Sequence, residues 1–306
     1  MTQNQMRQAL KDAYLIDFPD DLFQFWDFTR SFGADEPLAT FWSGVGLSSG
    51  LGLYLEGPFR IIAGETQSEP RNDWYLDSRY YNDPPEFFTV FSGDSDWQHW
   101  GYWLDDPDNT PSYSLADFYS NDAFEITEDG DTLFEAFRLR LEECHHNSLV
   151  WLEEDPISQD SCEASLEDYA LFRSRLMHYA TGERPEIGDE YTKKYAGLSR
   201  RAIVADTLEG MGIVVPEPLY RPLSLNDQKL LAKEYAGDDM SGVVAEAERA
   251  LAEGFPGTAL KFGRDLWVGS ECQKQDSYRL LSSAYEALNR PTLHALLSRI
   301  ASVRRK

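Results

Sequence analysis

RYYNDPPEFFTVFSGDSDWQHWGYWLDDPDNTPSY, residues 79 to 113, concentrates aromatic residues between turn signals. Asn82-Asp83-Pro84-Pro85 is incompatible with helix, because proline lacks the amide donor and drives the residue before it toward extended geometry. Phe87 to Phe91 is β-branched and aromatic, Gly93-Asp94-Ser95-Asp96 turns the chain, and Trp97 to Trp103 runs back. A second polar turn, Asp105 to Asn109, leads to a short extended segment from Pro111 to Leu115. The stretch specifies an antiparallel meander, the core of the N-terminal half.

Working outward, Asn4 to Tyr14 reads as a short amphipathic helix, and Phe18-Pro19-Asp20-Asp21 starts a second that ends near Gly33. Proline and acids suit the unpaired amides of a first turn, which turns Leu22, Phe25, Trp26 and Phe28 inward. Leu51 to Gly64 alternates like two short strands around Gly57-Pro58, and residues 65 to 78 read as a polar loop. Downstream, Asp122 to Ile126 reads as a last strand, and Gly130-Asp131-Thr132 opens a helix with the apolar stripe Leu133, Phe134, Phe137, Leu141. A first domain, 1–144, ends near Cys144.

The remainder, 145–306, reads as mainly helical. Leu166 to Tyr179 has helical periodicity, Gly212 to Pro216 is a buried extended segment, and helices are expected over 226–236, 241–252, 257–268, 273–288 and after Pro291. The fold class is α+β, with a mainly antiparallel sheet and flanking helices followed by an all-helical domain.

Of 306 residues, 42% are hydrophobic and 13% aromatic, which fits a packed globular protein. No run is long or apolar enough for a membrane helix, and the start MTQNQMRQALKDAY lacks a signal pattern, so the expected compartment is cytoplasmic. Lys and Arg number 28 against 53 Asp and Glu, a formal charge of −25. That opposes direct nucleic-acid contact and favours a basic partner. Cys144, Cys162 and Cys272 imply no disulfide framework, and Cys144-His145-His146 lacks metal-ligand spacing, so no metal is expected.

The quoted stretch resembles the histone PARylation factor 1 family. Its members carry a tyrosine-aspartate-proline-proline-glutamate-phenylalanine element, here Tyr81 to Phe87 with one residue inserted, then a glycine-tyrosine before an acidic turn, here Gly101-Tyr102 and Asp106-Pro107-Asp108. The likeness continues in the helix from Pro19 to Phe28, in the run from Leu51 to Gly64, and in Gly212 to Pro216 with Tyr220-Arg221 following. It extends to Leu260 to Trp267. The helix from Pro19 also resembles, more loosely, toxin-immunity proteins of the SUKH superfamily.

The resemblance implies an accessory factor with no activity of its own, which binds the catalytic domain of an ADP-ribosyltransferase of poly(ADP-ribose) polymerase type. It places the family's catalytic glutamate on Glu253, a general base directing modification to serine of a basic acceptor protein. It implies partner or substrate contacts for Tyr220, Arg221, Asp265 and Glu271, the last standing where the family has a histidine. The family aspartate beside the base is Ala252 here. No phosphate-cradling glycine signature is present, so NAD is expected on the partner and no cofactor on this chain. The alternative is an acidic interaction or immunity module with no catalytic role, for which complementary charge and shape suffice.

Overall fold

The computed structural model describes residues 1–42, 50–65, 73–93, 97–109, 113–118, 126–154, 159–179, 201–224, 228, 239–269 and 271–304. α1 (Gln3–Tyr14) opens with a capping box, in which Thr2 Oγ1 accepts the Gln5 amide while Gln5 Oε1 accepts the Thr2 amide at 2.8 Å. α2 (Asp20–Arg30) begins after Pro19 with two acids in its first turn. Its apolar stripe is buried as expected, Leu22, Phe25, Trp26 and Phe28 among them.

The sheet contains the expected meander, but its last strand runs over 126–130 where 122–126 was expected, and residues 122–125 lie outside the described ones. β1 (Tyr54–Leu55), β2 (Phe87–Ser92), β3 (His99–Leu104), β4 (Tyr113–Phe118) and β5 (Ile126–Gly130) lie in chain order, every pair antiparallel. α2 packs on one face of it, with the Phe25 ring 5.3 Å from those of Phe91 and Phe134. Such near-centroid aromatic contacts supply apolar area and ring–ring attraction together.

Two expectations between β1 and β2 are corrected. Residues 58–63 form a helix, α3 (Pro58–Ala63), not a strand. Pro58 takes a first-turn position, where its missing amide costs nothing, and Phe59, Ile61 and Ile62 are buried while Arg60 turns out to Glu65 and Asp77. Within the span read as a polar loop, residues 74–77 form a short helix, α4 (Trp74–Asp77), and Tyr75 is buried with its hydroxyl donating to the Pro85 carbonyl at 3.3 Å.

α5 (Leu133–Glu154) runs on through Cys144, past the limit expected for the first half. α6 (Gln159–Tyr179) packs beside it, its Phe172 ring against Phe32, Phe41 and Phe137 of the N-terminal half. The helix expected over 226–236 lies outside the described residues, Gln228 excepted. Then come α7 (Ser241–Ala252), α8 (Pro256–Trp267), α9 (Glu271–Ala287) and α10 (Pro291–Arg304). α8 is the central one, with all but Lys261 of its residues buried. No helix among the described residues is long and apolar enough to cross a membrane.

The turn ahead of β2 joins the sheet to these last helices. The Asn82 carbonyl accepts Trp267 Nε1 at 2.9 Å, and Asn82 Oδ1 accepts Lys274 Nζ at 3.0 Å. Asp83, fully buried, receives His99 Nε2 at 2.8 Å and the Thr89 hydroxyl at 3.2 Å. Burial alone opposes the charge on Asp83, but His99, Arg79 and the Tyr80 amide together outweigh it and hold the carboxyl below its ordinary range. Glu86 accepts the Tyr285 hydroxyl at 2.7 Å and lies 3.4 Å from Arg264 Nη1. Arg264 also pairs with Glu209 and lies 4.4 Å over the Trp103 ring, so one buried guanidinium gathers groups from the turn, β3, the segment before α7, and α8. A charge this deep is tolerated only because it is paired on two sides.

A second, half-buried acidic feature lies on β4 and β5. Asp117 accepts Gln98 Nε2 at 2.9 Å and Asp129 accepts Trp100 Nε1 at 3.2 Å. Burial pushes Asp117 up to about 6, and burial together with the Asp117 charge pushes Asp129 well above the ordinary carboxyl range. The folded state therefore binds more protons here than the unfolded chain, so this contribution to stability is present in acid and is lost as pH rises through about 6. Asp117→Asn keeps the shape and the Gln98 bond without the charge. Thermal melts at pH 4.5 and 7.5 are expected to show a smaller loss on going to the higher pH for the variant, by on the order of 2 kcal/mol.

Candidate functional site

The segment from Met211 to Arg221 delivers Tyr220 and Arg221 to the start of α8. Met211, Ile213 and Val215 are buried, and Ile213 pairs with Ala205 in an isolated antiparallel bridge. A 3-10 turn (Glu217–Leu219) then brings the chain against Gly257, where a Cβ would sit 2.6 Å from Val215 Cγ2 and 2.9 Å from the Leu219 carbonyl oxygen. The close approach needs glycine there. Thr258, next along, clamps Arg221 at the main chain: its Oγ1 accepts the Arg221 amide at 2.9 Å and its hydroxyl donates to the Arg221 carbonyl at 3.0 Å.

Glu253 arrives from the other side, as the C-cap of α7. Gly254 follows at φ +88°, and the Phe255 amide donates back to the Ala250 carbonyl at 2.8 Å while the Gly254 amide reaches Leu251 at 3.1 Å. This is the Schellman arrangement, in which the left-handed residue satisfies the last carbonyls and stops the helix. It leaves Glu253 at a helix end with its side chain 44% exposed. Gly254→Ala would place a Cβ residue in the left-handed region at a cost of roughly 1 kcal/mol, read as a small fall in melting temperature.

The two meet. Arg221 Nη1 pairs with Glu253 Oε2, Arg221 Nη2 donates to Glu246 Oε1 at 2.8 Å, and the guanidinium carbon lies 5.3 Å from the Phe255 ring centroid. Glu246 in turn pairs with Arg249, whose Nε donates to Glu246 Oε2 at 2.8 Å. Charges thus alternate along Arg249, Glu246, Arg221 and Glu253. Arg221 is a planar fork held at its main chain, backed by an aromatic ring and shared by two carboxylates. Ala252, the neighbour of Glu253, is exposed and adds no acid.

The other residues singled out in the sequence lie differently. Tyr220 is half-buried beside Arg221; burial pushes its hydroxyl up, and Asp265 and Asp206 add to the effect. Asp265 is 3% exposed, its carboxylate accepting the Leu208 amide at 2.9 Å and pairing with Lys261, so it fastens α8 to the segment before it from inside. Glu271 is placed by its backbone, as the first residue of α9. Glu246, Phe255 and Thr258 were not singled out by sequence. The legible signal for Glu246 was its position two turns ahead of Glu253 on one helix, which puts both on the same face.

Comparison with known proteins bears on the whole chain. A family model described as Histone PARylation factor 1 matches residues 5–304. Histone PARylation factor 1 of Danio rerio is 32% identical over 232 residues, 74% of this chain and 61% of that protein. The Bos taurus protein of that name is 28% identical, also over 61% of its length, so the chain spans less than two thirds of these two relatives. The Mus musculus protein is 26% identical over 313 residues, 94% of this chain and 83% of its own. With the match reaching from α1 to α10 and a relative above 30% identity, the chain belongs to the histone PARylation factor 1 family.

Proposed function

We propose that this protein binds the catalytic domain of an ADP-ribosyltransferase and adds Glu253 to its active site as a general base for modification of serine in a basic acceptor protein. The relatives are named as factors in histone PARylation, which supports an accessory role beside a poly(ADP-ribose) polymerase. The observation that carries the reading is the exposed Glu253 at a helix end, beside an arginine fixed at its main chain. An immunity module would need only an acidic surface and leaves this pair without a use.

NAD, held by the partner, supplies the ADP-ribosyl group. A serine hydroxyl is a weak nucleophile near neutral pH, and Glu253 accepts its proton as the oxygen bonds to the ribose carbon and nicotinamide departs with the electrons of the broken bond. Arg221 orients the carboxylate, and the acid-rich chain, at −25, attracts a basic acceptor. The same charge leaves direct nucleic-acid binding unfavoured.

The test is a reconstitution with a poly(ADP-ribose) polymerase catalytic domain, labelled NAD and a basic serine-containing peptide. Adding this protein is expected to raise label on the peptide, and replacing the serine by alanine is expected to remove it. An unchanged total, or equal label on the serine-free peptide, would overturn the reading. Arg221→Ala in the same assay is expected to weaken complex formation or acceptor placement, seen as a rise in Kd or KM of roughly tenfold, the size of one lost charged hydrogen bond.

A further inference from the structure

Arg221 reaches Glu253 with one arm only, Nη1 to Oε2, which leaves Oε1 to act as the base, and the way the guanidinium is shared shows what keeps the second arm away. Arg221 has two carboxylate partners of unequal exposure: the Glu246 side chain is 11% exposed and that of Glu253 is 44%. An ion pair at an exposed site is screened by water and salt, whereas a buried one is not. Of the two pairs the inner one, made by Nη2, is the firmer.

We infer that Glu246 is a positioning residue, which retains Nη2 of Arg221 so that Glu253 is held at one oxygen and keeps the other for the serine hydroxyl. Glu246 is suited to this because Arg249 holds its other oxygen, which fixes the carboxylate in place. The Thr258 clamp fixes the Arg221 main chain from which the guanidinium reaches both acids. Without Glu246, the guanidinium has one carboxylate left and closes on it with both arms, the geometry in which Arg–carboxylate pairs are strongest. The base would then be held shut. Glu246 touches neither substrate nor partner in this scheme, and acts through Arg221. The inference rests on the assignment of Glu253 as base.

The experiment compares Glu246→Gln, Glu253→Gln and the double variant in the reconstituted reaction, with transferase binding measured separately. Glu246→Gln is expected to lower kcat about ten- to a hundredfold, part of the 10²–10⁴ that a general base contributes, while KM for the peptide and Kd for the transferase stay within about twofold. In the Glu253→Gln background the same change is expected to have no further effect, because there is no base left to keep open. A wild-type kcat for Glu246→Gln, an effect confined to KM or Kd, or an equal loss in the double variant would each overturn the inference. If Glu253→Gln itself runs at the wild-type rate, the base assignment fails instead. A second measurement needs no catalysis and no Glu246 variant: in Glu253→Gln alone, the Arg221 side-chain NH signals in NMR are expected to remain those of a hindered guanidinium. Free rotation there would show that Glu246 does not hold it.

Discussion

Glu253→Gln is expected to reduce transfer to serine by about 10²–10⁴, the range for loss of a positioned general base, while transferase binding is nearly unchanged. The amide matches the carboxylate in size and still accepts a hydrogen bond from Arg221 through its carbonyl, but it has no basicity to offer the hydroxyl. Glu253→Ala should lose as much, which separates the chemistry from the shape. The readout is the initial rate of labelled ADP-ribose appearing on the peptide, with binding followed by a separate titration. A wild-type rate for the glutamine variant would leave the family likeness standing for the fold and remove the base.

Arg264→Met is expected to be the most destabilising single change away from that site. It would leave Glu86 and Glu209 buried without their shared cation, and breaking a buried pair from one side typically costs about 3–5 kcal/mol. Burial already pushes Glu209 upward, against the pull of Arg264, so removing the guanidinium takes away the main opposing pull and leaves the Thr207 hydroxyl and a main-chain bond against the upward push. Combining Arg264→Met with Glu86→Gln and Glu209→Gln should recover much of the loss, because the uncompensated charges are gone. Chemical denaturation of the three proteins tests this. Equal stability of the single variant and the wild type would mean the guanidinium contributes nothing net.

The meander was legible because strand periodicity, aromatic content and turn residues agreed over Arg79 to Tyr113. The same reasoning failed at Pro58 to Ala63, where six residues are too few to tell a period of two from one of 3.6, and a proline that ends helices also begins them. Tyr75 was lost inside a polar span because one buried aromatic among acids leaves no pattern. The choice of Arg221 and Glu253 as site residues followed from the family likeness, and nothing in their spacing announced that they meet, since 32 residues of separation carry no geometric signal. Glu246 was passed over as one acid in an acidic chain.

The motif that marks the family, Asn82 to Phe87, does not touch the candidate site. Its side chains and carbonyls are spent on Trp267, Lys274, Arg264 and Tyr285, the last 199 positions further along the chain than Glu86. Cutting the chain between sheet and helices would strip a charged, aromatic seam from both pieces, leaving each with half of a buried network open to water. Such a protein is not transferable by parts. Recombination that moved the segment bearing Arg221 and the helix ending at Glu253 into another gene would deliver them without the turn that seats the helices beside them.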